Sequence, residues 1–360
     1  MFSAATPQVR PLVVGGGMMG ALHVRALLGR EDVGSLTLVE PNADRAEALM
    51  RRYGRLRTYS SLVDALENEE FDLAVVAVPI GLAPETVSEL LEHRVPVLAE
   101  KPLAASSADA YALATLAETQ QTLLTVGYIE RFNPAVQALK GELAKGAAGA
   151  LYHVHARRLS PFPYRSGMVG VATDVATHDL DVLRFITGSL PVRVYAETDV
   201  LQAGGGEDLL CASLRYKSGV TGLIESNWLT PMKVRQLTVT AERGMYDVDY
   251  LTQDLWLHER PSGDSEWEAI GVMRGANEGR TIRFALERRE PLAIEHEQFI
   301  AAVASGGPPP VSAGDAADTL RVAEAILESS RTTQPVTVLP SPVAAEPSAT
   351  PSSTDPSVIA

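Results

Sequence analysis

The sequence predicts an α/β protein in two successive parts: a doubly wound parallel sheet, then an α+β portion built on an antiparallel sheet. Three observations predict this. Short apolar runs alternate with helix-like stretches through the first third of the chain. The middle is a series of strand-like segments joined by turn residues. The first apolar run opens directly into a glycine-rich turn, Gly15 to Gly20.

In the first third the apolar runs are Leu12–Val14, Leu36–Val39, Leu73–Val78, Val95–Ala99 and Leu123–Val126. Between them lie helix-like stretches at Met18–Gly29, Ala43–Arg52, Leu62–Glu67, Pro84–His93 and Ala108–Thr119. Apolar runs without polar alternation suit strands covered on both faces, and alternation with helices points to a parallel sheet. Pro11 cannot donate to a ladder, so it marks the first residue of a short first strand. In the middle, strands are expected at Tyr152–Arg157, Val192–Val200, Leu209–Tyr216, Val220–Trp228, Val234–Ala241, Gly244–Tyr250 and Leu255–His258. Lys217-Ser218-Gly219 and Glu242-Arg243-Gly244 read as hairpin turns. Helical patterns return at Ile294–Ala304 and Ala316–Ser329. The expected organisation is a dinucleotide-binding domain over residues 1–127, a substrate and oligomerisation domain over 128–338, and a disordered Pro/Ser/Ala/Thr-rich tail over 339–360.

Bulk properties bound the function. The chain has 360 residues, of which 46% are hydrophobic, enough for two cores. No apolar run approaches the roughly 20 residues that cross a bilayer. The first ten residues lack the pattern of a signal peptide, so a cytoplasmic location without membrane contact is expected. The net charge of −14 disfavours nucleic acid as a partner. The single cysteine, Cys211, excludes an internal disulfide and is read as a buried, inert thiol. His153 and His155 share a strand face, but no third ligand accompanies them and no metal is expected.

Gly15, Gly17 and Gly20, with Met18 and Met19 between them, fit G-x-G-x-x-G between a strand and a helix. The first glycine permits the tight turn, the second admits a pyrophosphate, and the third packs helix on strand. Free N–H groups at the helix start then face the anion. Glu40 ends the next strand, 20 residues beyond Gly20, where a carboxylate accepts ribose hydroxyls and repels a 2′-phosphate. The cofactor expected of this Rossmann arrangement is NAD, with NADP as the alternative because Arg45 is near in sequence.

Two further groups carry candidate chemistry. Glu100-Lys101-Pro102 follows a strand at the edge where ligands gather, and Pro102 keeps Lys101 out of helical geometry. Beside a cationic ring in a partly dry site, the lysine's ammonium form would be disfavoured, which suits a base. Asp174 and His178 are four apart and share one face if both are helical, with Asp174 at the helix start. His178 can take a proton near neutral pH and Asp174 can orient it or hold a hydroxyl. The bland alternatives are a solvated lysine, an ordinary first-turn acid and a core histidine.

With these residues in hand, the chain resembles the Gfo/Idh/MocA oxidoreductase family. The likeness runs from Gly15 to about Val338. It rests on the glycine turn with His23, Glu40, Val76-Ala77-Val78-Pro79, Glu100-Lys101-Pro102, Gly127-Tyr128, Arg131-Phe132-Asn133-Pro134 and Asp174-x-x-x-His178-x-x-Asp181. The resemblance implies a Rossmann domain and a second domain whose open antiparallel sheet forms a homodimer or homotetramer. It implies that Lys101, Asp174 and His178 are catalytic, and it adds Val78, Pro79 and Glu100 to the coenzyme side. Pro84 stands where many members carry a histidine.

A narrower likeness concerns substrate. Tyr128–Pro134, Arg157-Arg158, Pro161–Arg165, Ala176–Asp179 and Asn227–Pro231 with Lys233 and Arg235 look like the branch containing UDP-N-acetylglucosamine 3-dehydrogenases. The local basic clusters are what a diphosphate needs in an acidic protein. Tyr128, Arg157, Arg165, Asp174, His178 and Trp228 are therefore the candidate substrate contacts, with strand-edge charges and core aromatics as the plain alternatives. The expected activity is oxidation of a secondary hydroxyl of a sugar-class small molecule, a UDP-N-acetylhexosamine at C3. The alternatives are an inositol or free-sugar dehydrogenase, and a non-catalytic NAD-binding sensor.

Overall fold

The computed structural model describes residues 8–163, 169–202, 205–260 and 279–339. Six strands form the first sheet: β1 (Pro11–Val14), β2 (Leu36–Val39), β3 (Leu56–Tyr59), β4 (Leu73–Val76), β5 (Val97–Glu100) and β6 (Leu124–Gly127). Their order is β3-β2-β1-β4-β5-β6 and every pairing is parallel. The order reverses between β1 and β4, which opens a crevice at the carboxyl ends of those strands. The connecting helices are α1 (Met18–Leu28), α2 (Ala43–Arg52), α3 (Leu62–Asn68), α4 (Ala83–Glu92) and α5 (Ser107–Gln120). They cover both faces: Leu12, Val76 and Leu90 belong to one apolar cluster, and Val13, Leu27 and Leu98 to another. Pro11 is the first residue of β1, as expected.

The chain then passes through a 3-10 turn, Ile129–Phe132, into α6 (Pro134–Ala144). Asn133 caps α6 by accepting from the Ala135 N–H, and Pro134 occupies the first turn where its missing donor costs nothing. Next come β7 (Leu151–Leu159), α7 (Val171–Asp174), α8 (Ala176–Thr187), β8 (Pro191–Asp199), β9 (Leu209–Tyr216) and β10 (Thr221–Asn227). They are followed by β11 (Val234–Ala241), β12 (Gly244–Asp249), β13 (Asp254–Glu259) and β14 (Thr281–Arg283). The described chain ends in α9 (Pro291–Ser305), α10 (Ala313–Thr332) and β15 (Val336–Thr337).

The second sheet has nine strands in the order β14-β13-β12-β11-β7-β10-β9-β8-β15. It is mixed rather than wholly antiparallel, because β7 and β10 pair in parallel. The cause is topological. The chain leaves β7 through two helices and the β8–β9 hairpin before β10 returns beside it. Helices cover one face only: Leu180 and Leu183 of α8 and Ile326 of α10 share a cluster with Val154, Ala156 and Leu237 of the strands. On the other face residues such as Tyr152, Tyr195 and Leu223 are exposed. Cys211 lies on that face and is exposed, which corrects the expectation of a buried thiol. Its neighbours in β9, Leu210 and Ala212, take the buried positions instead.

α9 and α10 also return to the first sheet. Phe299 joins the cluster of Leu27 and Leu98, and Leu320 that of Leu12 and Val76. Among the described residues no helix is long and apolar enough to cross a membrane. Residues 340–360, where the disordered tail was expected, lie outside the described residues.

Candidate active site

β1 delivers the chain into Gly15, whose φ of +98° is in the left-handed region. A Cβ there would lie 2.4 Å from the Ala77 carbonyl oxygen, and one on Gly20 would lie 1.8 Å from that of Gly15. Neither position tolerates a side chain. At Gly17 a Cβ would meet nothing within 4 Å, so the turn faces open space. Gly17 is also the N-cap of α1, and no side chain caps that helix. By contrast, Asn42, Ser61 and Ser106 cap α2, α3 and α5. The first N–H groups of α1 are left without a side-chain cap where the glycine turn faces open space, and an anion fits there. Met18 is exposed and Met19 half-buried beside them. Val78 packs against the turn, its Cγ1 3.3 Å from where a Gly15 Cβ would be, while Pro79 is exposed.

Glu40 ends in the same crevice but is not idle. Its carboxylate accepts the Gly16 N–H at 2.8 Å, the Asn42 N–H at 2.9 Å and Arg45 Nη1 at 3.0 Å. Burial works against its charge. The hydrogen bonds from Asn42, Gly16 and Arg45 outweigh that and hold it below the usual carboxylate range. Three of about four lone-pair positions are used, leaving one, on Oε1, for a ribose hydroxyl. Turn, helix start and carboxylate together fit a dinucleotide with a free 2′-hydroxyl.

Lys101 leaves the carboxyl end of β5 and its Nζ donates to Asp174 Oδ1 at 2.9 Å and to the Asp174 carbonyl. Both side chains are about one-seventh exposed. The Asp174 carboxylate is thus the counter-charge that the structure places against Lys101 Nζ. Asp174 ends α7 and does not start the next helix. Val175, with φ −113°, interrupts the coil, and His178 lies in the first turn of α8. The interruption leaves Asp174 bonded to Lys101 and His178 close enough for the lysine's charge to act on the imidazole. His178 Nδ1 is buried and has no hydrogen-bond partner among the described residues. Burial, and then the charges of Lys101, Arg158 and Arg235, keep the imidazole uncharged well below its usual range.

The remaining candidates divide sharply. Tyr128 is fully buried and meets His178 edge to face at 6.2 Å, so it supports the imidazole from behind and does not line a pocket. Trp228 is 3% exposed and packs edge to face on Phe162, which corrects its assignment as a stacking platform. Arg157 faces the uncovered side of the sheet, where Nε pairs with Glu225 at 3.1 Å, and is not at the site. Arg165 lies outside the described residues. Glu100 turns inward to His23 Nε2 at 2.9 Å and accepts the Lys101 N–H at 3.2 Å, so it places Lys101 and does not face the crevice.

The fold brings further residues to the site: Arg158 and Arg235, which the sequence reading groups with Arg157 as basic clusters without choosing them as contacts, and a histidine pair behind Glu100. Arg158, on the inward face, makes a bidentate pair with Asp179 at 2.8 and 2.9 Å and a third bond to Glu130 at 3.0 Å. Arg235 lies opposite it in register on β11. Behind Glu100, His23 Nδ1 lies 3.0 Å from His296 Nε2 of α9, with the buried Glu295 beside them. Strand parity was the available signal for Arg158, since Val154 and Ala156 mark the buried side of β7. A separate cavity of about 950 Å³, with Arg94, Gln121, Arg184 and Pro309 among its lining, lies at the amino ends of β5 and β6 and contains none of the expected site residues. Among the described residues no group of three or more His, Cys, Asp or Glu could hold a metal ion.

Two family models match successive parts of the chain. Residues 9–128 match the family model described as "Oxidoreductase family, NAD-binding Rossmann fold", and residues 136–247 match the GFO/IDH/MocA C-terminal domain. UDP-N-acetylglucosamine 3-dehydrogenase of Acidithiobacillus ferrooxidans is 27% identical over 83% of this chain and 90% of its own. Its solved structure superposes with a TM-score of 0.79 at 25% identity, covering 90% of this chain and 98% of that one. Myo-inositol 2-dehydrogenase of Thermotoga maritima is 25% identical over 84% of this chain and 90% of its own.

Proposed function

The chain belongs to the Gfo/Idh/MocA family of NAD-binding oxidoreductases, and from that premise we propose that it oxidises a secondary hydroxyl of a sugar-class substrate, a UDP-N-acetylhexosamine at C3. The observation that carries this reading is the Lys101–Asp174 ion pair at the carboxyl end of β5, with His178 close enough for the lysine's charge to act on it. A sensor that only bound NAD would have no use for that group.

Bound NAD⁺ supplies the acceptor for the hydride of the substrate carbon. The chain's own residues handle position and proton. The free N–H groups after Gly17 hold the pyrophosphate, and Glu40 Oε1 takes a ribose hydroxyl. Asp174 fixes Lys101, whose ammonium donates to the reacting hydroxyl oxygen and stabilises it as negative charge develops. His178, uncharged at neutral pH, accepts the hydroxyl proton. Tyr128 holds the imidazole plane from behind.

The second reading is an inositol or free-sugar dehydrogenase. It is favoured by the myo-inositol relative, whose identity is nearly the same as that of the sugar-nucleotide relative. The uncovered face of the second sheet, with Tyr152, Tyr195 and Leu223 exposed, supports assembly of two or four copies through that sheet.

The test is turnover on a panel. Purified protein, first checked for retained NADH, is given NAD⁺ or NADP⁺ with UDP-N-acetylhexosamines, inositols and free sugars. NADH formation with a 3-keto UDP-sugar product supports the first reading. Turnover confined to inositol or free sugars replaces it with the second, and no turnover of any hydroxyl donor removes both.

A further inference from the structure

β7 and β11 are antiparallel neighbours in register, and Arg158 and Arg235 stand directly opposite each other on the inward face. Like charges opposite one another across a ladder repel. For Arg158 the repulsion is answered by three hydrogen bonds that its guanidinium donates to the carboxylates of Asp179 and Glu130. For Arg235 it is not. Among the described residues its Nη1 donates to the Leu159 and Val234 carbonyls at 2.7 and 2.9 Å, and no carboxylate pairs with it.

A guanidinium carries five N–H donors. Two backbone carbonyls on one nitrogen leave the Nε and Nη2 edge unused, and that edge has the fork geometry that binds an oxyanion through two bonds. Asp179 and Glu130 are close enough to act on Arg235 electrostatically, yet their hydrogen bonds go to Arg158. Arg235 is also close enough to His178 for its charge to act on the imidazole. In a chain of net charge −14 only such a local cation draws an anion to one place.

We propose that Arg235 is the anchor for an oxyanion carried by the substrate, a diphosphate or a sugar carboxylate, and that it sets specificity against neutral sugars. The inference rests on the reading that the substrate reacts at Lys101, Asp174 and His178. Arg235 takes no part in the proton transfer. It fixes the charged end of the molecule so that one hydroxyl reaches His178.

The test is calorimetric titration of protein saturated with NADH, using UDP, inorganic pyrophosphate and D-glucuronate as separate probes. The proteins are wild type, Arg235→Gln, Arg235→Lys and Arg215→Gln, the last an exposed arginine elsewhere on the sheet. At least one probe binds wild type, and Arg235→Gln weakens it by about 10- to 100-fold, the range of a hydrogen-bonded charged group. Arg235→Lys keeps the charge without the fork and gives an intermediate loss, which separates binding from folding. Arg215→Gln changes nothing. UDP and pyrophosphate binding identifies a diphosphate, and glucuronate binding alone identifies a carboxylate. Wild-type affinity in Arg235→Gln, or no binding of any probe to wild type, overturns the proposal. If glucuronate alone binds and loses affinity in Arg235→Gln, the sugar-nucleotide substrate fails while the anchor stands. If UDP-N-acetylglucosamine is oxidised with unchanged KM by Arg235→Gln, the substrate stands and the anchor fails.

Discussion

Lys101 Nζ lies 2.9 Å from Asp174 Oδ1 although 73 residues separate them. The contact ties the carboxyl end of β5 to α7, so the coenzyme-binding sheet and the second half of the chain share one ion pair. Replacing Lys101 by Met, or Asp174 by Asn, removes it without leaving a large cavity. Each variant should lose about 10²- to 10⁴-fold in kcat. NADH affinity, read by nicotinamide fluorescence, should stay within a few-fold of wild type, because the glycine turn and Glu40 are untouched. Loss of NADH binding in step with kcat would make the pair structural.

Glu40 and Arg45 stand where a choice between NAD and NADP can be made, which gives a second prediction. The carboxylate occupies the end of β2 and already pairs with Arg45 at 3.0 Å. A 2′-phosphate would meet that carboxylate. Glu40→Ser removes the repulsion and releases Arg45, which is half exposed and can then reach the phosphate. The ratio of kcat/KM for NADP⁺ over NAD⁺ should rise by at least about tenfold, equivalent to roughly 1.4 kcal/mol. An unchanged ratio would show that ribose selection lies elsewhere.

How far the sequence discloses all this depends on whether a signal is local. The glycine spacing from Gly15 to Gly20 lies within one turn, and Lys101 directly follows an apolar strand, so both were legible. β3 was not. Leu56-Arg-Thr-Tyr59 is an edge strand that is half exposed and has one aliphatic residue. α6 was hidden by Pro134 and Gly141, which look like breakers until Asn133 is recognised as the cap. Arg157 was chosen over Arg158 because a cluster of like residues was read as a unit, although on a strand one step reverses the face. The contacts from Glu100 to His23 and from His23 to His296 span 77 and 273 residues, and no local pattern encodes them.

Buried titratable groups give a pH dependence of opposite signs. Burial first keeps His178 and His296 uncharged in the folded protein, with Lys101 and two arginines adding to it at His178, whereas in the unfolded chain they take protons near pH 6.5. Below that pH the unfolded state binds more protons, so stability falls on acidification, by up to about 2.7 kcal/mol per pH unit for two groups. Glu295 acts the other way. Burial, then Glu100, push its carboxyl well above the usual range, so the folded state keeps a proton that the unfolded chain releases above about pH 4.3. Its contribution therefore weakens as pH rises. Glu295→Gln removes that term, and the melting temperature of the variant minus that of wild type should grow between pH 5 and pH 8. An offset independent of pH would show that Glu295 ionises alike in both states.

Arg131 sits at the join of the two halves. Its guanidinium makes two bonds to the fully buried Asp181 of α8, at 2.7 and 2.6 Å, and one to Asp315 of α10 at 3.0 Å. Arg184 links Asp315 to Asp318, and Asp318 accepts from Tyr111 of α5. Asp181 is three residues beyond His178 on the same helix. Removing only the arginine leaves that carboxylate buried without its hydrogen-bonded partner, with only the more distant Arg184 acting on it, and breaking a buried pair in this way costs about 3–5 kcal/mol. Replacing both partners by apolar residues of similar size should cost much less, because no charge is then stranded. Arg131→Met should accordingly lower the melting temperature markedly, and Arg131→Met with Asp181→Leu should recover most of the loss. Recovery of stability in the double variant without recovery of kcat would add that the pair aims α8, and so His178, at the substrate. A double variant as unstable as Arg131→Met would refute the stranded charge as the cause.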